Sequence, residues 1–215
     1  MRRARGVVAL AFAAAVGLPA PGAATEAPWS VGISGGYFAP ATENWEQNYD
    51  KRGGLLPSLS AGYTVIDGVS VTAEAAYFSA ESQARDVTGQ LSIDRQRLRL
   101  IPVTLALEYR LRLGDQQLVV PFVGGGYRRV AYRLTVGDND DVTGGAGGPV
   151  ARGGIDVLLN RLDPSAASGL AEDYGVTGTY LRLEAQWAKA EASGTTGEDI
   201  DLGGVTYLVG LRFEF

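Results

Sequence analysis

The last nine residues, Tyr207-Leu-Val-Gly-Leu-Arg-Phe-Glu-Phe215, constrain the fold more than any other stretch. Read with period two, Tyr207, Val209, Leu211, Phe213 and Phe215 form an apolar, aromatic-ended face. Leu208, Gly210, Arg212 and Glu214 form the other, which carries both charges. Such alternation describes a strand greasy on one side and polar on the other. If the greasy side meets hydrocarbon, a one-residue slip is prohibitive, because an outward Arg costs about 2–4 kcal/mol at mid-bilayer.

Seven further segments alternate in the same way, separated by breaker-rich stretches. Trp29 to Ala39 puts Trp29, Val31, Ile33, Gly35 and Tyr37 on one face. Leu55 to Ile66 sets Leu55, Leu59, Ala61, Tyr63 and Val65 against Ser58, Ser60, Gly62 and Thr64. Asp67-Gly68 is a two-residue hairpin signal, and Val69 to Ala80 follows it. The fourth segment sets Ile101, Val103, Leu105, Leu107, Tyr109 and Leu111 against Thr104, Ala106, Glu108, Arg110 and Arg112. Leu118 to Leu134 is the fifth, Val150 to Leu159 the sixth and Thr177 to Ala190 the seventh. In the fifth, Val119-Val120-Pro121-Phe122-Val123 is apolar on both sides. Facing Val120, Phe122 and Tyr132 outward places an aromatic near each end and turns Arg129 inward.

The connections alternate in length. Asp67-Gly68 and 113–117 are tight, whereas 40–54, 81–93, 135–149 and 191–203 are long and polar. Short turns on one side and long loops on the other fit a membrane-spanning barrel with both termini on the short-turn side. The long exception, 160–176, contains Asp163-Pro164, a helix cap followed by a first-turn Pro, and predicts a short periplasmic helix over 164–172. With this orientation, Trp29, Tyr63, Tyr109, Phe122, Phe213 and Phe215 gather at one edge. Tyr37, Tyr77, Tyr132, Trp187 and Tyr207 gather at the other, as interfacial girdles require. The predicted fold is an all-β, eight-stranded antiparallel up-and-down transmembrane β-barrel.

The chain opens with Met1-Arg-Arg-Ala-Arg5, an apolar run to Leu18 and small residues before Ala24. This pattern is a secretory signal peptide over 1–24, leaving 25–215 as one outer-membrane β-barrel domain. The apolar run is shorter than the roughly 20 residues of a spanning helix. The formal net charge is −5 and becomes more acidic without Arg2, Arg3 and Arg5, which argues against a nucleic-acid partner. There is no Cys, hence no disulfide framework or thiolate metal site, and no cofactor is expected.

The inward set is Glu74, Glu108, Arg110, Arg129, Arg152, Asp156, Arg182, Glu184, Arg212 and Glu214. Its signs are mixed, so these side chains are expected to form an interior ion-pair network filling a narrow eight-stranded lumen. A soluble lipocalin-like barrel would reverse the faces and line a greasy cavity; Ser, Thr, Gly and ion pairs make a poor one. A gated polar pathway through the same residues is the functional alternative to a plug.

Catalysis is not expected. The chain has no histidine, the usual acid–base residue near neutral pH, and only two lysines, Lys51 and Lys189. Asp138-Asn139-Asp140-Asp141 lacks the spacing of a calcium loop and reads better as a solvated acidic loop. Arg95, Arg97 and Arg99 alternate on the outward side above Ile101, placed either to contact lipopolysaccharide phosphates or to sit solvated on an extramembrane extension.

Trp29-Ser-Val-Gly-Ile-Ser-Gly-Gly-Tyr37, Ile101-Pro-Val-Thr-Leu-Ala-Leu-Glu-Tyr109, Pro121-Phe-Val-Gly-Gly-Gly-Tyr127 and the Phe215 ending resemble the OmpA/OmpX/OmpW-like small outer-membrane barrels. The resemblance spans essentially the whole chain after the signal. It implies Sec-type export, the outer membrane of a Gram-negative bacterium, and contact with outer-membrane lipid and lipopolysaccharide. It also implies a C-terminal assembly signal, here Tyr207, Phe213 and Phe215, read by the barrel-assembly machinery. The catalytic small barrels that these residues also bring to mind depend on a His that this chain lacks. The expected role is a non-catalytic structural or surface-interaction barrel with four long extracellular loops. The alternative is an OmpW-like conduit for small hydrophobic molecules.

Overall fold

The computed structural model describes residues 28–215 except 43–44, 50–51, 86–90, 115–116, 138–140 and 194–198. The expected signal peptide and Asp138-Asn139-Asp140 lie outside the described residues. Eight long strands build the wall: β1 (Trp29–Pro40), β2 (Gly54–Ile66), β3 (Val69–Ala76), β4 (Leu91–Arg110), β5 (Val119–Val136), β6 (Val142–Leu158), β7 (Gly178–Ala188) and β8 (Gly204–Glu214). Each pairs antiparallel with its successor, and β1 pairs with β8 from Ser30↔Glu214 to Pro40↔Gly204. The cylinder is therefore closed, which is what lets strands cross hydrocarbon without orphaned amides.

The pleat sorts residues as the alternation requires. On β4, Ile101, Val103, Leu105, Leu107 and Tyr109 are 40–60% exposed, whereas Thr104, Ala106, Glu108 and Arg110 are 1–3% exposed. The apolar side faces out, which excludes the lipocalin-like arrangement. Trp29, Tyr63 and Tyr109 stand outward at the end holding the termini, with Trp29 and Tyr63 meeting edge to face at 4.8 Å. Tyr37, Tyr77, Trp187 and Tyr207 stand outward at the other.

Strand β5 is turned the opposite way from the sequence expectation. Val120 and Phe122 are buried in the lumen and Tyr132 points inward, while Val123, Tyr127 and Arg129 face out. Three interior demands decide this parity. Phe122 lies flat beneath Arg182, with the guanidinium 4.0 Å from its ring centre. Arg128 enters the lumen and donates from Nε to Thr104 Oγ1 at 2.9 Å. Gly124 leaves the space that Arg152 fills, since a Cβ there would lie 3.1 Å from Arg152 Cγ.

The outer side is more structured than its polar composition suggested. Past Tyr77, β3 continues as Phe78–Arg85, paired only with β4, and β6 begins at Val142, inside the expected 135–149 loop. A five-residue helix, α1 (Trp45–Tyr49), lies in the first long loop. At the opposite end, α2 (Pro164–Tyr174) starts where Asp163 Oδ1 accepts from Ala166 N at 3.0 Å, and stops at Gly175, φ 69°. That positive φ suits glycine.

Replacing Leu105 by Arg tests the outward assignment. We expect a loss of about 2–4 kcal/mol, measured by urea unfolding from lipid vesicles, because position 105 lies midway along an outward face.

Candidate functional site: a charge-filled lumen

The lumen is built from the inward pleats. Near the end that holds the termini, Arg112 Nη2 donates to both Glu214 oxygens at 3.0 Å, and Arg110 donates to the same carboxylate. Arg110 also approaches Asp156 at 3.1 Å and lies over the Tyr180 ring at 4.8 Å. In the centre, Arg182 grips two carboxylates at once. Its Nε and Nη2 donate to Asp156 at 2.7 and 2.9 Å, and its Nη1 and Nη2 donate to Glu108 at 3.0 and 2.7 Å. Arg212 Nη1 donates to Glu108 at 3.0 Å. Forked geometry of this kind gives the strongest charge-assisted bonds.

One layer outward, Arg152 donates to Glu184 at 2.8 Å and to Glu74 at 3.4 Å. Gln186 Nε2 donates to Glu74 at 3.1 and 3.0 Å and to Glu184 at 2.7 Å, while its oxygen accepts from Arg128. Five arginines (Arg110, Arg128, Arg152, Arg182, Arg212) and five carboxylates (Glu74, Glu108, Asp156, Glu184, Glu214) are thus buried together, each at most 6% exposed. The formal charges cancel. Lone charges here would be far costlier than the paired set.

Above the ionic layers the lumen turns apolar. Phe38, Leu56, Phe78, Leu98, Leu100, Val130 and Leu208 pack together, with Phe38 and Phe78 edge to face at 5.1 Å. Trp45 of α1 closes this cluster from outside, stacked on Tyr49 at 4.2 Å and tilted against Phe78 at 5.9 Å. Burial pushes the Tyr49 phenol up to about 12, so it stays protonated at neutral pH.

A groove of about 470 Å³ lies beside α1, lined by Trp45, Tyr49, Leu55, Pro57, Tyr77 and Ala80 among others. It marks a break in the wall. The β2–β3 ladder stops at Ser58↔Ala76, and Tyr77 N donating to Pro57 O at 3.0 Å is the last bond across it among the described residues. Pro57 itself has no N–H to offer.

Of the residues singled out in the sequence, Glu74, Glu108, Arg110, Arg152, Asp156, Arg182, Glu184, Arg212 and Glu214 line the lumen. Arg129 does not: it faces out, and its neighbour Arg128 takes the interior place. Arg128 was missed, and the glycines at 124 and 126 were the available clue, because small inward residues make room for long ones opposite. Gln186 stands, as the alternation of the seventh segment requires, on the inward face with Arg182 and Glu184. Arg97 and Arg99 lie on the outward side of β4, Arg97 paired with Glu81. Arg95 sits in β4, but its side chain is outside the described residues. Tyr207 faces out, and Phe213 and Phe215 are half-buried at the barrel's closing edge.

The family model described as "Outer membrane protein beta-barrel domain" matches residues 8–213. The chain belongs to that family. Among solved structures, it is similar to the outer membrane protein OprG from Pseudomonas aeruginosa, with 15% identity, 88% of this chain and 97% of that one covered, and a TM-score of 0.57. Neisserial surface protein A gives 13% identity, 87% and 97% coverage and 0.55. Ail of Yersinia pestis, in complex with the heparin analogue sucrose octasulfate, gives 12%, 89% and 100% and 0.53. At such identities the shared property is the fold. No curated protein matches the chain.

Glu108 is the acceptor shared by Arg182 and Arg212, so Glu108→Gln leaves a surplus of buried positive charge. The expected loss is about 3–5 kcal/mol in urea unfolding from vesicles, with the strand content of the folded barrel retained.

Proposed function

We propose that this outer-membrane barrel is a non-catalytic structural and surface-interaction protein whose lumen is sealed. One observation carries the reading: the ten buried charges are mutually neutralised and bridge from wall to wall, from Arg110–Glu214 to Arg128–Gln186, with a packed apolar cluster above them. An ion entering this lumen would have to replace those partners. Eight strands enclose only enough space for side chains.

The absence of histidine from the whole chain supports a role without catalysis. In this reading residues 1–24 direct Sec-type export and are removed, the Tyr207–Phe215 strand is recognised during barrel assembly, and the protein resides in a Gram-negative outer membrane. The extended outer hairpins are its contact surface. Lipopolysaccharide phosphates meet the outward arginines of β4.

The groove beside α1 favours one second reading. A seam at the outer rim, greasy on Leu55, Pro57 and Tyr77, suits a conduit that passes small hydrophobic molecules sideways into the bilayer. Its route would begin by displacing Trp45 from the apolar cluster.

Planar-bilayer recording of the purified barrel tests the sealed reading. Brief or no openings are expected; sustained unitary currents in symmetric salt would overturn it. Vesicle uptake of a small apolar fluorophore that rises with the wild-type barrel and falls on Pro57→Ala, which restores an N–H to the seam, would instead favour the conduit.

A further inference from the structure

The reversed facing of β5 has a consequence on the outer wall. Arg129, Ala131 and Arg133 now stand outward beside the outward row of β4, Arg97, Arg99 and Ile101. Arg99 and Arg133 are direct cross-strand partners, and Arg97, opposite Thr135, is diagonal to Arg133. Like charges placed directly opposite each other destabilise a sheet unless an anion stands between or above them.

The carboxylates at hand answer only part of this charge. Glu81 pairs with Arg97, and Asp141 pairs with Arg133 while also accepting from Thr135. The hydrogen bonds from Arg133 and then Thr135 hold the Asp141 carboxyl below its ordinary range. Neither Arg99 nor Arg129 has a carboxylate within ion-pair distance among the described residues, although Asp141, held by Arg133, also feels the Arg99 charge.

Arg129 also shows the direction in which charge is wanted. Its cross-strand partner is Gly147, but its guanidinium reaches past it toward the outer edge. A Cβ at Gly145, one pleat further out, would lie 3.5 Å from Arg129 Nη2. The hydroxyl of Tyr127 leans over Gly147, 2.6 Å from where a Cβ would be. An outward Arg in this position snorkels to the interface. Gly145 and Gly147 make a floor without side chains beneath these donors. The feature is confined to one wall: among the described residues, no other strand of the barrel carries an outward arginine at membrane or girdle depth.

We infer that Arg99, Arg129 and Arg133, with Arg97 and the Tyr127 hydroxyl at their flanks, form a binding site on the β4–β6 wall for the phosphate groups of a phosphorylated outer-leaflet glycolipid. The site is outward, at the height of the outer aromatic girdle, where lipid headgroups rather than solutes are concentrated. Guanidinium forks match phosphate oxygens in pairs. The inference rests on the outer-membrane reading and extends its lipid contact from one strand to two, over a glycine floor from a third; whether the lumen is sealed does not affect it.

The test uses the full mature barrel in phosphatidylcholine vesicles doped with bisphosphorylated lipid A, dephosphorylated lipid A, or neither, with thermal unfolding followed by the mobility shift of the folded form. The phosphorylated lipid is expected to raise the unfolding midpoint by several degrees over the dephosphorylated one. The shift should disappear in Arg99→Gln/Arg129→Gln/Arg133→Gln and persist in Arg161→Gln, which removes a charge near α2 at the opposite end. Equal shifts from both lipids, or a shift retained in the triple variant, would overturn the site. A shift reproduced by inorganic phosphate without lipid A would overturn the lipid as its occupant. If the triple variant does not fold, Arg129→Gln alone must still reduce the shift, and the wild-type shift must shrink at high salt; failure of either refutes the proposal. Channel recording on the same samples reports separately on the sealed lumen.

Discussion

Arg182 suspended between Glu108 and Asp156 is the interaction on which the rest of the structure depends. Three strands, β4, β6 and β7, meet in this one cluster, and Arg212 ties β8 to it through the same Glu108. A barrel in lipid gains little from burying its apolar exterior against itself, because the exterior stays in contact with hydrocarbon. Its interior must therefore supply specificity. Charge pairs that tolerate few geometries do so: moving any one strand by a residue would bring a side chain of the wrong character into the network.

Backbone and side chains divide the work along the barrel axis. The closed ladder removes edges at membrane depth. The ionic layers fill the lumen toward the end that holds the termini, and the Phe38–Phe78–Leu100 cluster with Trp45 fills the other part. Among the described residues the wall opens where β3 parts from β2 after Ala76, outside the ionic layers. The break in the ladder thus lies beside the apolar cluster and α1, and the paired charges lie beneath it.

Most of the fold was legible because period-two alternation reports directly on which side of a strand meets hydrocarbon. β4 is the clearest case, with Ile101 to Tyr109 apolar at every odd position and Glu108 and Arg110 at even ones. The alternation failed in β5, where both faces are apolar near Val119–Val123 and adjacent Arg128 and Arg129 fit either parity. Aromatic placement was a poor arbiter there. Phe122 is inside because an interior cation needs a ring to stack on, a demand that arises from β7 and is invisible within β5. The extension of β4 was one of the two readings of Arg95, Arg97 and Arg99, but those of β3 beyond Ala80 and of β6 before Val150 were missed, because above the membrane both faces of a strand meet water or headgroups and polarity no longer alternates. α1 was missed for a related reason: its identity rests on Trp45 reaching a cluster assembled from distant strands.

The central claim is that hydrocarbon surrounds the cylinder and paired charge fills it. Single-cysteine nitroxide scanning along 101–109 in lipid vesicles tests this most directly, and the chain's lack of native cysteine removes any background. High oxygen accessibility at 101, 103, 105, 107 and 109, alternating with low accessibility at 102, 104, 106 and 108, is the predicted result. Flat accessibility, or the opposite alternation, would contradict the account.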